Sequence, residues 1–85
     1  MISHLELTNR TLWLKIKRKE ISFGGNRKLN IFGTLTCKSG KRMKRENRVF
    51  FGSEIEAAAN GFRPCGHCMK KAYQEWIYLA RKQTL

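Results

Sequence analysis

The sequence predicts a small single α+β domain: a short, mainly antiparallel sheet, flanking helices, and a C-x-x-C knuckle before the last helix. Three observations carry this prediction. The chain has 85 residues, 41% of them hydrophobic, which suits one small core and is too apolar for a basic disordered tail. Apolar residues recur at helical spacing near both ends, while the middle holds two short β-branched and aromatic runs. Cys65 and Cys68 bracket Gly66-His67 in a tight turn just ahead of the final helical pattern.

The elements follow in order. Thr8 or Asn9 caps a helix running to about Arg18, with Leu12, Ile16 and Trp13 on its apolar face and Lys15, Lys17, Arg18 and Lys19 at its C-terminal end, where cations complement the helix dipole. Gly24-Gly25-Asn26 reads as a turn. Leu29 to Thr36 reads as a strand with Gly33 as a bulge. Cys37 to Arg48 is a basic connection, and Arg48 to Phe51 a second strand. Ser53 and Glu56 form a capping box that opens a helix through Ala59, ended by Gly61. A last helix is expected from about Met69 to Arg81, with Met69, Ala72, Tyr73, Trp76, Leu79 and Ala80 on one face. The aromatic residues Trp13, Phe50, Phe51, Tyr73 and Trp76 read as core rather than as a base-stacking platform. By this reading residues 1–28 form an N-terminal helix and turn, and 29–85 the metal-binding part of one compact domain.

Charge and cysteine content bound the function. Eighteen Lys and Arg against six Asp and Glu leave +12, which calls for an anionic partner. No apolar run reaches the ~18 residues of a membrane span, and no secretory signal opens the chain, so a cytoplasmic protein is expected. Three cysteines, an odd number, suit a metal or free thiols better than a disulfide framework. No paired carboxylates and no Ser/His/Asp set support hydrolysis, and no small-molecule substrate is evident. A core this small gains from a staple, since a chain of this length buries only about 60–65% of its unfolded surface.

Cys65 and Cys68 can bind one Zn2+ at about 2.3 Å each. Cys37, at the end of a strand, can meet that knuckle as a third ligand. A tetrahedral site then lacks one donor. His67, inside the knuckle, is one candidate, although the middle of such a turn points its N–H groups at sulfur and its side chains outward. His4, water, or no metal at all are the others.

Cys37, Lys44-Arg45-Glu46-Asn47-Arg48-Val49-Phe50-Phe51, Glu54 to Ala59 and Gly61-Phe62-Arg63-Pro64-Cys65-Gly66-His67-Cys68 together resemble the Ada-type metal-binding domain of bacterial alkylation-response regulators. The resemblance covers about residues 30–75 and is most specific at Gly-Phe-Arg-Pro-Cys-x-x-Cys. It implies a zinc domain whose metal is held by four cysteines in the pattern C-x3-C … C-x2-C, working in DNA repair and transcription regulation. It also implies that the first cysteine takes a methyl group from a DNA methylphosphotriester and that methylation strengthens DNA binding. This chain departs from that pattern by one cysteine. Twenty-seven residues separate Cys37 from Cys65, which makes Cys37 the second family cysteine and puts Gly33 at the acceptor position. In the other alignment Cys37 is the first cysteine and Lys41 replaces the second. The favoured alignment removes the acceptor thiol; the other leaves Cys37 as a methyl acceptor.

Lys38, Lys41, Arg42, Lys44, Arg45 and Arg48 place six cations in eleven residues, a composition suited to tracking phosphates. The sequence therefore reads as a small basic zinc module that binds nucleic acid, most simply DNA, without methyl transfer. The rival readings are a methyl acceptor and a protein-interaction module without metal. The chain ends about ten residues beyond the resemblance, so site-specific regulation by this chain alone is not expected.

Overall fold

The computed structural model describes residues 1–37 and 43–83, with side chains up to residue 79. The described elements are β1 (Ile2–Ser3), a 3-10 turn (His4–Glu6), α1 (Asn9–Lys17), β2 (Phe23–Asn26), β3 (Ile31–Thr34), a second 3-10 turn (Arg45–Asn47), β4 (Arg48–Phe51), α2 (Glu54–Ala59), β5 (Arg63–Pro64) and α3 (Lys70–Gln83). The five strands form one sheet in the order β1-β4-β2-β3-β5. The pairs β1–β4, β4–β2 and β2–β3 are antiparallel, and β5 joins β3 in parallel. The α+β class and the mainly antiparallel sheet agree with the sequence.

α1 starts where the sequence places it: the Thr8 hydroxyl accepts from the Thr11 N–H at 3.1 Å. It ends in a Schellman motif, with Lys19 N–H donating to Ile16 O (3.1 Å), Glu20 N–H to Lys15 O (2.9 Å), and Lys19 at φ 59°. Leu12 packs on the buried group Leu7, Ile21 and Phe50. Trp13, expected on the same face, is instead 55% exposed with Lys17 Nζ 4.6 Å from its ring centre, a cation–π contact made in water. Trp76 is likewise exposed rather than core, stacked on Tyr73 at 6.1 Å.

The expected turn at Gly24-Gly25-Asn26 is a strand, and a central one. Gly25 faces the main core of Phe32, Val49, Phe51, Ala57 and Phe62. A Cβ there would stand 2.9 Å from Phe51 and 3.1 Å from Phe62, so glycine is needed for two aromatic rings to reach the sheet. The chain turns after it, at residues 27–30, where Asn26 Oδ1 accepts from the N–H groups of Lys28 and Leu29 and Asn30 adopts φ 56°. β3 is therefore shorter than the expected strand, and Leu29 is exposed.

The Ser53 hydroxyl accepts from the Glu56 N–H at 3.1 Å and caps α2. The Glu56 carboxylate reaches back to the Gly52 N–H (2.7 Å) and to the Met1 ammonium (2.9 Å), which together hold its pKa below the ordinary carboxylate value. Gly61 follows α2 at φ 82°, as a helix-ending glycine should. Pro64 sits in an edge strand, where no ladder donor is needed from it. Among the described residues no helix is long and apolar enough to cross a membrane.

Candidate metal centre

The parallel pairing of β5 with β3 builds the site. Cys65, the residue after β5, donates its N–H to Phe32 O of β3 at 2.7 Å, and its own carbonyl accepts from Met69 N–H at 3.0 Å. This folds Cys65-Gly66-His67-Cys68 into a turn that leads into α3. Cys37 follows β3 by a turn closed from Cys37 N–H to Thr34 O at 3.2 Å. The sulfurs of Cys37, Cys65 and Cys68 all lie within 4.8 Å of one another. A tetrahedral Zn–S distance of about 2.3 Å separates sulfurs by about 3.8 Å, so closure needs a side-chain adjustment of at most about 1 Å.

Backbone donors already surround these sulfurs. Thr34 N–H reaches Cys68 Sγ, and His67 N–H reaches Cys65 Sγ, both at 3.4 Å. Burial nevertheless pushes the Cys68 thiol above its ordinary pKa, with the neighbouring Cys37 and Cys65 adding to the rise against the opposing Thr34 bonds. A dication reverses that balance by binding the thiolates, so a cluster of three thiols with polarising N–H groups fits a metal. Cys37 is buried, whereas Cys65 and Cys68 are half-buried.

Gly33 abuts the sulfur group. A Cβ built on Gly33 would lie 2.7 Å from Cys68 Sγ and 3.2 Å from Cys65 Cβ, so this residue faces the sulfurs without offering an atom to them. Gly33 and Cys37 are spaced G-x3-C, the spacing on which the favoured alignment rests. Lys41, the alternative substitute, lies outside the described residues. Among the described residues no histidine or carboxylate joins the three-sulfur group. His67 is exposed and reaches the cluster by its backbone N–H. His4 packs edge-on against Phe50 at 5.2 Å instead.

Of the six candidate phosphate-binding residues, Lys38, Lys41 and Arg42 lie outside the described residues. Lys44 and Arg45 are exposed, and Arg48 is half-buried. Arg45 also has a structural task, donating to Leu7 O at 2.6 Å and to His4 O at 3.5 Å. Sequence reasoning missed Arg63, whose guanidinium lies 5.1 Å from the Tyr73 ring centre and 5.8 Å from that of Trp76, beside the knuckle. Gly66 makes room for that arrangement, since a Cβ there would meet the Tyr73 ring at 3.1 Å. The signal was present in Arg63-Pro64-Cys65, beside a candidate ligand, with Tyr73 and Trp76 in the first two turns of the helix that follows.

No curated protein and no solved structure matches this chain. The family model described as the metal binding domain of Ada matches residues 17–71. That match spans β2 to the start of α3 and includes all three cysteines, whose placement is consistent with Zn2+. The chain therefore belongs to the family of Ada metal-binding domains.

Proposed function

We propose that this chain is a basic zinc module that binds DNA through phosphate contacts and transfers no methyl group. Charge is the observation that carries the reading: +12 on 85 residues, with six of eighteen cations between residues 38 and 48, in the connection that follows Cys37. Zn2+ on Cys37, Cys65 and Cys68 supplies the cross-link that ties the end of β3 to the start of α3. His67 stays outside that set, contributing its N–H to Cys65. Lys38, Lys41, Arg42, Lys44, Arg45 and Arg48 supply the phosphate contacts, with Arg63 adding charge next to the knuckle. The module belongs in the cytoplasm, where thiols stay reduced, and family membership supports a place in DNA repair or transcription.

Loss of methyl-acceptor activity is supported by Gly33, which stands without a thiol where the favoured alignment puts the acceptor, and by the burial of Cys37 at 9% exposure. Affinity for duplex DNA, followed against salt, should give a log–log slope of about −4 to −5, as neutralising about five phosphates requires. No binding at low salt would overturn the reading, and an acidic protein partner would then be the better account of the charge. Exposure to methylphosphotriester DNA should leave the mass of the Cys37 peptide unchanged; a gain of one methyl group there overturns the assignment of Gly33.

A further inference from the structure

Among the described residues no fourth side chain joins the three-sulfur group, and Gly33, Cys37 and Cys65 all line one cavity. The cavity holds about 410 Å3, within the range of ordinary small-ligand sites. It lies between α1 and the face of the sheet opposite the main core. Gly24 and Gly33, directly paired across β2 and β3, line it without side chains. Leu12 and Ile16 of α1 and Leu35 give it an apolar wall. Cys37 and Cys65 line it at the metal centre, and Arg48 and Arg63 bring positive charge to the same space. Among the described residues no side chain of this chain completes the sulfur group from within that space.

We infer that the fourth position is filled from outside the chain, by a low-molecular-weight thiol carrying a carboxylate, which enters through this cavity. The inference rests on the zinc reading of the three cysteines. A soft set of three thiolates accepts a fourth sulfur readily. The small volume suits a small molecule rather than a peptide or a nucleic-acid strand. The apolar wall receives the thiol's carbon stem, and the arginines favour an anionic group. The ligand binds as thiolate: its S–H bond breaks, the proton passes to water, a metal–sulfur bond forms, and no redox change occurs.

The test uses the full chain loaded with Co2+, whose thiolate charge-transfer absorption counts sulfur ligands. Titration with 3-mercaptopropionate should raise that absorption by about one third, as three sulfurs become four, and saturate at one thiol per chain. The uncharged analogue 3-mercapto-1-propanol should bind at least about tenfold more weakly, the loss expected for one charge-assisted hydrogen bond. Gly24→Leu, which fills the cavity floor, should keep cobalt and lose the thiol response. A cobalt spectrum in the native chain that ignores the thiol overturns the inference and leaves the metal site standing. Equal affinity for the two thiols overturns the anionic ligand class, and an undiminished response in Gly24→Leu overturns the entry route. Failure to take up cobalt overturns the zinc reading itself.

Discussion

Two neighbouring glycines do opposite things. Gly25 is pressed by the rings of Phe51 and Phe62 and by Ile31 O at 3.2 Å, whereas Gly24 has nothing nearer than Leu35 at 3.8 Å. Gly25→Ala should therefore cost about 1–3 kcal/mol through overpacking, while Gly24→Ala should be neutral or slightly stabilising. Urea unfolding of the two variants separates them; equal midpoints would show that Gly25 is not under compression. His4 is a second residue with a measurable signature. Its Nδ1 is buried without a hydrogen-bond partner among the described residues. Burial, and then the charges of Arg45 and Arg48, hold its pKa below 6.5. The folded protein thus binds a proton less readily than the unfolded chain does. Stability from neutral His4 is present above about pH 6.5 and is lost as pH falls through the folded value. His4→Phe, keeping the ring against Phe50, should flatten that part of the stability profile between about pH 7 and 5. An unchanged profile would assign the acid sensitivity elsewhere, the cysteine site being the next candidate.

At the scale of elements, the end of α1 carries backbone strain. Lys19 holds the left-handed position of a Schellman motif at φ 59°, which costs a side-chain-bearing residue about 1 kcal/mol. Lys19→Gly should raise stability by roughly 0.5–1 kcal/mol, and by slightly more at low salt because a cation is also removed. A lowered melting temperature would mean that the Lys19 side chain makes a contact worth more than the backbone strain. The helix caps at Thr8 and Ser53 and the strand at Arg48–Phe51 were legible in the sequence because each depends on neighbours a few residues away. The central strand was not. Gly24-Gly25-Asn26 carries the local signature of a turn, and only Phe51 and Phe62, far along the chain, explain why glycine stands in a strand. β1 and β5 have two residues each, too few to show any period. The three cysteines were legible by type and spacing as a group able to hold a metal, and the alignment already favoured Gly33 as the missing cysteine's place. What needed the register of β3 against β5 was how closely Gly33 approaches Cys68. Trp13 and Trp76 misled for a related reason: helical spacing fixes which face a residue shares, and only packing decides whether that face is covered.

For the whole molecule, charge and core size pull together. Six acids can offset at most six of eighteen cations, and both described ion pairs, Met1 with Glu56 and Lys15 with Glu20, involve exposed or half-exposed groups of modest worth. A small core then works against the self-repulsion of +12, which salt screens over about 10 Å at 0.1 M. The folded chain concentrates charge more than the unfolded chain, so added salt should stabilise it. Raising NaCl from about 20 to about 200 mM should lift the melting temperature by roughly 3–6 °C, the shift that about 0.5–1 kcal/mol produces in a domain of this length. Short duplex DNA at low salt should give a larger increase at far lower concentration, because it binds the folded surface and neutralises several cations at once. A non-nucleic polyanion of equal charge density separates field from fit. If it stabilises the chain as strongly as duplex DNA, the cations act as a general anionic sink. If DNA is superior at matched charge, the arrangement of cations along Lys44 to Arg48 and at Arg63 is tuned to the spacing of phosphates. Insensitivity to all three additions would mean that the charge is too widely spread to oppose folding, and the electrostatic basis of DNA binding would fall with it.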